Sequence, residues 1–358
     1  MAVPEPAVSV SRPLRDHGFH GVPVADVVAE TADAASLVLA VPPELAATFA
    51  YRAGQFCNLR VEIDGHSHVR CYSMSSAPAL GEAMQLTVKR VAGGVVSNWV
   101  IDHLGSGDTV ELSPPAGFFQ LTETDGELVA FAAGSGITPV ISLVKTTLAT
   151  TSRTVRLHYA NRDASSVIFD ATLGQLEDAH QGRLSVERSY DTEHGLVTEA
   201  GVGAVAAGAA GTGEFYVCGP APYMEIVEGA LAALGVEVGR IHMERFSVAE
   251  LGVGAAPPPP GPAGGTTVTI ELDGHRASTD HRPGTTILQT ARQMAMAPPF
   301  SCESGSCATC MARLVQGSVS MFVNNALTPD EVEEGWILTC QSVPTSETVH
   351  VVYGYDDL

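Results

Sequence analysis

The chain has almost no lysine. Lys89 and Lys145 are the only two among 358 residues, and the other 17 of its 19 basic side chains are arginines. Against 40 acidic residues this leaves a net charge of -21. No basic patch is visible to neutralise phosphates, which argues against a nucleic-acid partner. The excess negative charge favours solubility and steers the chain toward a basic partner face. There is no long apolar run either. The most apolar small-residue stretch, 201–211, is short and made largely of Gly, Ala and Val, so no membrane span is expected. The first ten residues have no charged region followed by an apolar one, so no export signal is expected and the cytoplasm is the expected location. In such a compartment disulfides are not expected, and Cys57, Cys71 and Cys218 read as free thiols.

The remaining four cysteines say most about the chain. Cys302, Cys307 and Cys310 are spaced C-x4-C-x2-C, and Cys340 follows after 29 intervening residues. This is the spacing of plant-type [2Fe-2S] ligation. Two bridged irons need four thiolates arriving from several directions, and a tight loop plus one distant residue can supply them. Ser304, Gly305 and Ser306 keep the loop slim, so backbone N–H groups can point at the sulfurs and tune them. Structural zinc is the competing reading, but it usually takes two C-x2-C knuckles, and only one is present. A [2Fe-2S] cluster is therefore expected on Cys302, Cys307, Cys310 and Cys340.

The clearest break along the chain is A-A-P-P-P-P-G-P-A-G-G, residues 255–265, a semi-rigid spacer loosened by glycines. After it, T-V-T-I-E-L with Asp273-Gly274 signals a hairpin. A helix is expected over residues 287–296, then the cysteine loop, then two short strands across Gly317. That order suits a small β-grasp fold. Before residue 121, strand-like runs separated by glycine and proline suggest an antiparallel barrel. From 126 to 250, strands alternate with helices expected near 140–149, 171–179 and 223–234, the pattern of a parallel sheet with helices on both faces. The expected organisation is a disordered lead (1–16), a barrel (17–122), an α/β domain (123–250), a linker (251–265) and a β-grasp domain (266–358).

Four further segments carry chemistry. Gly134-Ser135-Gly136-Ile137-Thr138-Pro139 ends a strand and opens a helix, where glycines let the backbone approach a pyrophosphate. It is not the full G-x-G-x-x-G fingerprint. Cys218-Gly219-Pro220 repeats the strand-to-helix arrangement, and in a parallel sheet both loops share the carboxyl edge. In the barrel, Arg70-Cys71-Tyr72-Ser73 alternates so that Arg70 and Tyr72 share a face, offering one cation and one flat ring. Gly93-Gly94-Val95-Val96-Ser97 is a glycine turn before a helix.

Together these residues resemble the ferredoxin-NADP-reductase-like superfamily, in the form that carries a C-terminal plant-type ferredoxin and serves as the reductase component of bacterial oxygenases. The likeness covers nearly the whole chain past residue 17. The runs Y-A-N-R-D-A-S-S-V-I-F and W-I-L-T-C-Q-S look most like reductases of 3-ketosteroid 9α-hydroxylases, then those of phenylacetyl-CoA epoxidases. The resemblance implies an FAD-binding barrel, a nicotinamide-dinucleotide domain and a [2Fe-2S] ferredoxin domain. By it, Arg70 binds the flavin pyrophosphate, Tyr72 stacks on the isoalloxazine and Ser73 sits near the reactive nitrogen. Cys71, Val88, Lys89, Gly94, Val95, Val96, Ser97, Thr138 and Phe246 complete the FAD set. Gly134, Ser135, Gly136, Thr138, Asn161, Arg162, Cys218, Gly219 and Pro220 are the implied dinucleotide contacts. His242-Met243-Glu244-Arg245-Phe246 resembles the H-x-E-x-F segment of the family, so Ser73, Cys218 and Glu244 are expected near the flavin and nicotinamide. The chain departs from the family at Ala308, where glycine is usual, and at Ser306.

The implied activity is electron transfer from NADH to FAD to [2Fe-2S] to a partner. Nicotinamide gives two electrons at once, the cluster takes one, and a flavin does both. Asp163 beside Arg162 would repel a 2'-phosphate, which favours NADH over NADPH. The implied partner is a terminal oxygenase, Rieske-type as in a steroid 9α-hydroxylase, or alternatively a di-iron epoxidase such as that acting on phenylacetyl-CoA. A redox carrier or sensor without turnover is a further alternative. A monomer is expected. His66 and His68 share a strand face beside a polar turn, and the twelve histidines form no ligand cluster.

Overall fold

The computed structural model describes residues 18–246, 265–272, 274–300 and 302–354. The expected disordered lead, nearly all of the proline spacer and Asp273 lie outside the described residues. Three β-modules follow one another. The first is a six-stranded antiparallel sheet in the order β4-β3-β6-β1-β2-β5. Its strands are β1 (His20–Thr31), β2 (Ala34–Leu39), β3 (Phe56–Ile63), β4 (His66–Ser73), β5 (Gln85–Lys89) and β6 (Thr109–Leu112). A Met74–Leu86 bridge links the two ends of the order and closes the barrel. Along β1, buried Val22 and Val24 alternate with exposed neighbours, as a half-buried strand requires. Leu37, Leu59, Leu86 and Leu112 meet inside. Helix α1 (Val95–His103) packs Val96 and Val100 into the same core.

The second module is a parallel sheet in the order β11-β10-β7-β8-β9. Its strands are β7 (Leu128–Ala133), β8 (Val155–Asn161), β9 (Leu184–Tyr190), β10 (Glu214–Gly219) and β11 (Ile241–Arg245). Every residue of β7 and β10 is buried, because helices cover both faces of a parallel sheet. The helices are α2 (Ile137–Thr150), α3 (Asp170–Ala179), the single turn α4 (Asp191–His194), α5 (Glu199–Ala206) and α6 (Ala221–Ala233). Helix α2 begins three residues earlier than its sequence pattern suggests. Pro139 stands in its first turn, where a missing N–H costs nothing. Helix α5 has no counterpart in the sequence reading, because its glycines and alanines give little periodicity.

The third module pairs β12 (Thr267–Leu272), β13 (His275–Asp280), β14 (Met311–Gln316), β16 (Trp336–Leu338) and β18 (Thr348–Val352) in the order β13-β12-β18-β14-β16. Helix α7 (Ile287–Gln293) packs on it, started by a Thr286–Gln289 capping box. The helix stops short of Met296. Ala295 turns left-handed at φ 57°, and Met296 N–H reaches back to the Ala291 carbonyl, a Schellman-type ending. The strands on either side of Gly317 do not pair with each other. Instead β15 (Val319–Met321) pairs with β17 (Ser342–Pro344) in a separate ribbon, and the short α8 (Pro329–Glu333) precedes β16.

Candidate functional site

Cys302, Cys307 and Cys310 lie on the loop between α7 and β14, and Cys340 follows β16. All four are buried. Their sulfurs pair two and two, Cys302 with Cys307 and Cys310 with Cys340. Two facing thiol pairs suit a binuclear core with two thiolates per iron, whereas structural zinc gathers four ligands on one centre. Ser304 N–H and Ser306 N–H donate to Cys302 Sγ at 3.4 and 3.3 Å, and Cys302 N–H donates to Cys307 Sγ at 3.4 Å. The hydrogen bond from Cys307 and these backbone donors hold the Cys302 thiol below its ordinary range, while Cys307 is pushed up. The Cys302 thiolate is thus favoured before iron arrives.

The loop reaches this shape through three left-handed residues, Glu303, Gly305 and Ala308. A Cβ on Gly305 would lie 2.6 Å from the Val323 carbonyl oxygen, so only glycine fits there. The φ of 54° at Ala308 gives the physical reason for glycine at this position in related loops. Arg292 anchors the loop by two hydrogen bonds to the Glu303 carboxylate, at 2.9 and 3.0 Å, and stacks on Phe300.

In the barrel, Arg70 to Ser73 form the end of β4. Ser73 is buried, and its hydroxyl has no hydrogen-bond partner among the described residues. Such an orphan fits a ligand that supplies the missing bond. The Arg70 guanidinium rests on the neighbouring Val69 carbonyl at 2.8 Å. At the start of α1, Ser97 Oγ accepts from Val91 N–H at 3.1 Å and the Asn98 amide donates to the Gly94 carbonyl at 2.6 Å. The glycine turn is therefore held by its own side chains, leaving the helix N-terminus to face an anion. The Val88 and Val96 side chains belong to the barrel core, so only their backbone is available to a ligand. Val95 is exposed.

The two glycine loops of the parallel sheet touch. A Cβ on Gly136 would stand 2.1 Å from the Cys218 carbonyl oxygen and 2.8 Å from Gly219 N. Gly134 is left-handed at φ 53°, and a Cβ there would lie 3.5 Å from Lys89 Nζ, so the lysine reaches across from the barrel. The Tyr159 hydroxyl donates to the Gly134 carbonyl at 3.1 Å, and Thr138 Oγ1 donates to the Ser135 carbonyl at 3.0 Å. Asn161 is buried at the carboxyl end of β8. Next to it, Arg162 Nε donates to Asp163 Oδ2 at 2.8 Å, and this bond draws Asp163 down to about 2. Pro220 precedes α6, and Phe246 packs partly buried against the module's core.

The three modules converge on Glu244. It pairs with Cys218 across β10 and β11. Burial first, then the proximity of Cys302, raises its carboxyl to about 8. Its charge in turn pushes up the thiols of Cys71 and Cys218, whose main cause is burial. Cys302 and Cys307 also pack with Phe56 and Ala116, and Cys71 lies against the same cluster. The cluster loop thus sits directly on the R-C-Y-S strand of the barrel. Sequence reasoning missed what holds it there: Asn58, whose carboxamide bonds both Cys307 and Thr309 of the loop. A lone amide inside the apolar run of β3 was the available signal.

A nucleotide-type parallel sheet, a barrel with an orphaned ligand site and a four-thiolate loop in contact with both define a class, the pyridine-nucleotide-dependent flavin and iron–sulfur oxidoreductases. The family models agree: the oxidoreductase FAD-binding domain matches residues 22–121, the oxidoreductase NAD-binding domain 131–229 and the 2Fe-2S iron-sulfur cluster binding domain 270–345. The chain is 40% identical over 352 residues to the ferredoxin reductase component of 3-ketosteroid-9-alpha-monooxygenase from Mycolicibacterium smegmatis, covering 95% of this chain and 98% of that one. It is 33% identical to a component of the 1,2-phenylacetyl-CoA epoxidase of Escherichia coli, covering 93% and 97%. The solved structure of phthalate dioxygenase reductase shares the fold, with a TM-score of 0.59 at 23% identity over 94% of this chain and 98% of that one. The chain belongs to the family of FAD- and [2Fe-2S]-containing reductase components of multicomponent oxygenases.

Proposed function

We propose that this chain takes electrons from NADH and delivers them, through FAD and the [2Fe-2S] cluster, to a separate terminal oxygenase. Bound flavin and iron–sulfur chemistry supply the two-electron to one-electron conversion; the residues supply position and exclusion of water. The observation that carries the reading is the convergence at Glu244, where the β4 strand, the C-G-P loop and the cluster loop meet.

In this reading Gly134, Ser135, Gly136, Thr138, Cys218, Gly219 and Pro220 form the dinucleotide seat, with Asn161 beside it. Arg70, Cys71, Tyr72, Ser73, Lys89, Gly94, Val95, Ser97 and Phe246, with the backbone of Val88 and Val96, hold FAD. Ser73 supplies a hydroxyl at the reacting edge. Glu244, mostly protonated at neutral pH, holds a proton near it without adding a buried charge. Cys302, Cys307, Cys310 and Cys340 hold the cluster. The Arg162–Asp163 pair supports NADH, because the carboxylate already occupies the cation a 2'-phosphate would need.

The oxygenase is read as a Rieske-type enzyme of the steroid 9α-hydroxylase kind, given the high identity to those reductase components. The epoxidase relative supports a di-iron oxygenase as the second reading. None of the seven cysteines forms a disulfide; the chain is read as cytoplasmic and as a monomer. The test is reconstitution. The protein with NADH and a Rieske-type steroid oxygenase should give hydroxylated product. Turnover with a di-iron oxygenase alone supports the second reading, and turnover with neither contradicts both.

A further inference from the structure

Contacts around the cluster loop single out a residue to which neither the motifs nor the family descriptions assign a role. Asn58 lies in β3, directly opposite Cys71 of the R-C-Y-S strand. Ser113 fixes both of its backbone groups: the Asn58 N–H donates to Ser113 Oγ at 3.0 Å, and Ser113 N–H donates to the Asn58 carbonyl at 2.9 Å. Its side chain then leaves the barrel and enters the ferredoxin module. The Asn58 amide donates to the Cys307 carbonyl at 3.2 Å, and its oxygen accepts from Thr309 Oγ1 at 2.8 Å. Asn58 is 6% exposed and Thr309 2%.

The side chains that pack together beside this contact, Phe56, Ala116, Cys71, Cys302 and Cys307, are apolar or sulfur. Apolar packing tolerates sliding; an amide with one donor and one acceptor engaged does not. A slip of one residue would leave a buried carboxamide unpaired, which is costly. A single buried polar group of this kind fixes register. Beside the contact a cleft of about 600 Å³ separates the two modules, with Asn58, Arg70 and Thr309 on its walls. The two bonds therefore span the place where the modules close on each other.

We propose that Asn58 is the positioning residue that locks the cluster loop onto the flavin-binding barrel, and that transfer from flavin to cluster depends on this lock. The inference rests on the flavin-to-cluster order proposed above. It concerns geometry rather than chemistry, because both hydrogen bonds of the side chain go to the loop that carries Cys307.

The test uses the full-length holoprotein with Asn58→Ala, Thr309→Val and Thr309→Ser. Three readouts are taken: FAD content with the electron-paramagnetic spectrum of the reduced cluster, backbone amide exchange over residues 302–311, and the single-turnover rate of flavin-to-cluster transfer. Loss of the buried amide is expected to speed exchange in the loop and slow the transfer by about tenfold, the factor set by one buried hydrogen bond. FAD content and NADH–ferricyanide activity should stay within about twofold of wild type, since neither needs the docked loop. Thr309→Val should give a smaller effect of the same kind, and Thr309→Ser should restore wild-type behaviour. If Asn58→Ala fails to load its cofactors, Thr309→Val decides. Transfer at the wild-type rate in a folded, loaded variant, whatever its thermal stability, overturns the proposal. Equal loss of ferricyanide activity and of transfer contradicts the underlying electron order instead.

Discussion

Gly136→Ala offers the sharpest steric test of the dinucleotide seat. Gly136 has an ordinary helical backbone, φ -60° and ψ -11°, so alanine imposes no conformational strain there. The added Cβ would nonetheless stand 2.1 Å from the Cys218 carbonyl oxygen and 2.4 Å from its carbon. These are backbone atoms of β10, a buried interior strand, and cannot swing aside. The two loops must separate by about 1 Å, at an overpacking cost of about 1–3 kcal/mol, which a domain of this size survives. A displacement of about 1 Å in a positioning element costs about a hundredfold in catalysis. The assay is NADH–ferricyanide kinetics with stopped-flow flavin bleaching. The expected result is a kcat/KM for NADH about a hundredfold lower, with normal FAD content and a normal reduced-cluster spectrum. Gly174→Ala is the control. It lies on α3 with no atom within 4 Å of the added Cβ, and should be neutral or stabilising by about 0.5–1 kcal/mol. A Gly136→Ala protein that reduces ferricyanide at near wild-type kcat/KM would refute the reasoning.

Three further outcomes follow from the same geometry. Cys340→Ser, which breaks the Cys310–Cys340 thiol pair, should abolish reduction of cytochrome c while leaving NADH–ferricyanide activity, and equal loss of both would contradict the electron order. Asp163→Asn should raise kcat/KM for NADPH by about tenfold, by releasing the Arg162 guanidinium for a 2'-phosphate, without losing the turn, since Asn caps as well as Asp; an unchanged NADPH to NADH ratio counts against it. Glu244, raised from 4.5 to about 8 by burial, keeps its proton when folded and loses it when unfolded across that window. Stability should therefore be highest below about pH 4.5 as far as this group is concerned, and fall as pH rises to about 8, by at most about 5 kcal/mol. Glu244→Gln should flatten the urea midpoint between about pH 5 and 8, and an unaltered slope would show that the carboxyl is ionised at neutral pH.

Much of this was legible because ligand chemistry constrains sequence locally. The C-x4-C-x2-C spacing, the two strand-to-helix glycine loops and the R-C-Y-S strand are short and contiguous, and each lies where its pattern indicates. What was not legible is non-local. Asn58 and Thr309 are 251 residues apart; Thr309 fills an unspecified position of the cysteine motif, and Asn58 sits in no motif. Gly136 reads as a phosphate-approach glycine, yet in the structure its missing side chain is required by the neighbouring C-G-P loop. Helix α5 escaped notice because Gly201, Gly203 and Ala204 blur the helical period. The two short strands around Gly317 were legible as strands but their partners were not, because turn signals cannot say which distant strand wins the pairing; β15 goes to β17.

Anaerobic titration of the purified protein with NADH, followed by visible absorbance and electron-paramagnetic resonance, tests the central claim most directly. A flavin that accepts two electrons beside a cluster that accepts one should consume about one and a half equivalents of NADH per chain. The flavin band should bleach, and the spectrum of a reduced binuclear centre should integrate to about one spin. A bleached flavin with no iron signal, or a chain that takes up no electrons from NADH after cofactor reconstitution, would contradict the account.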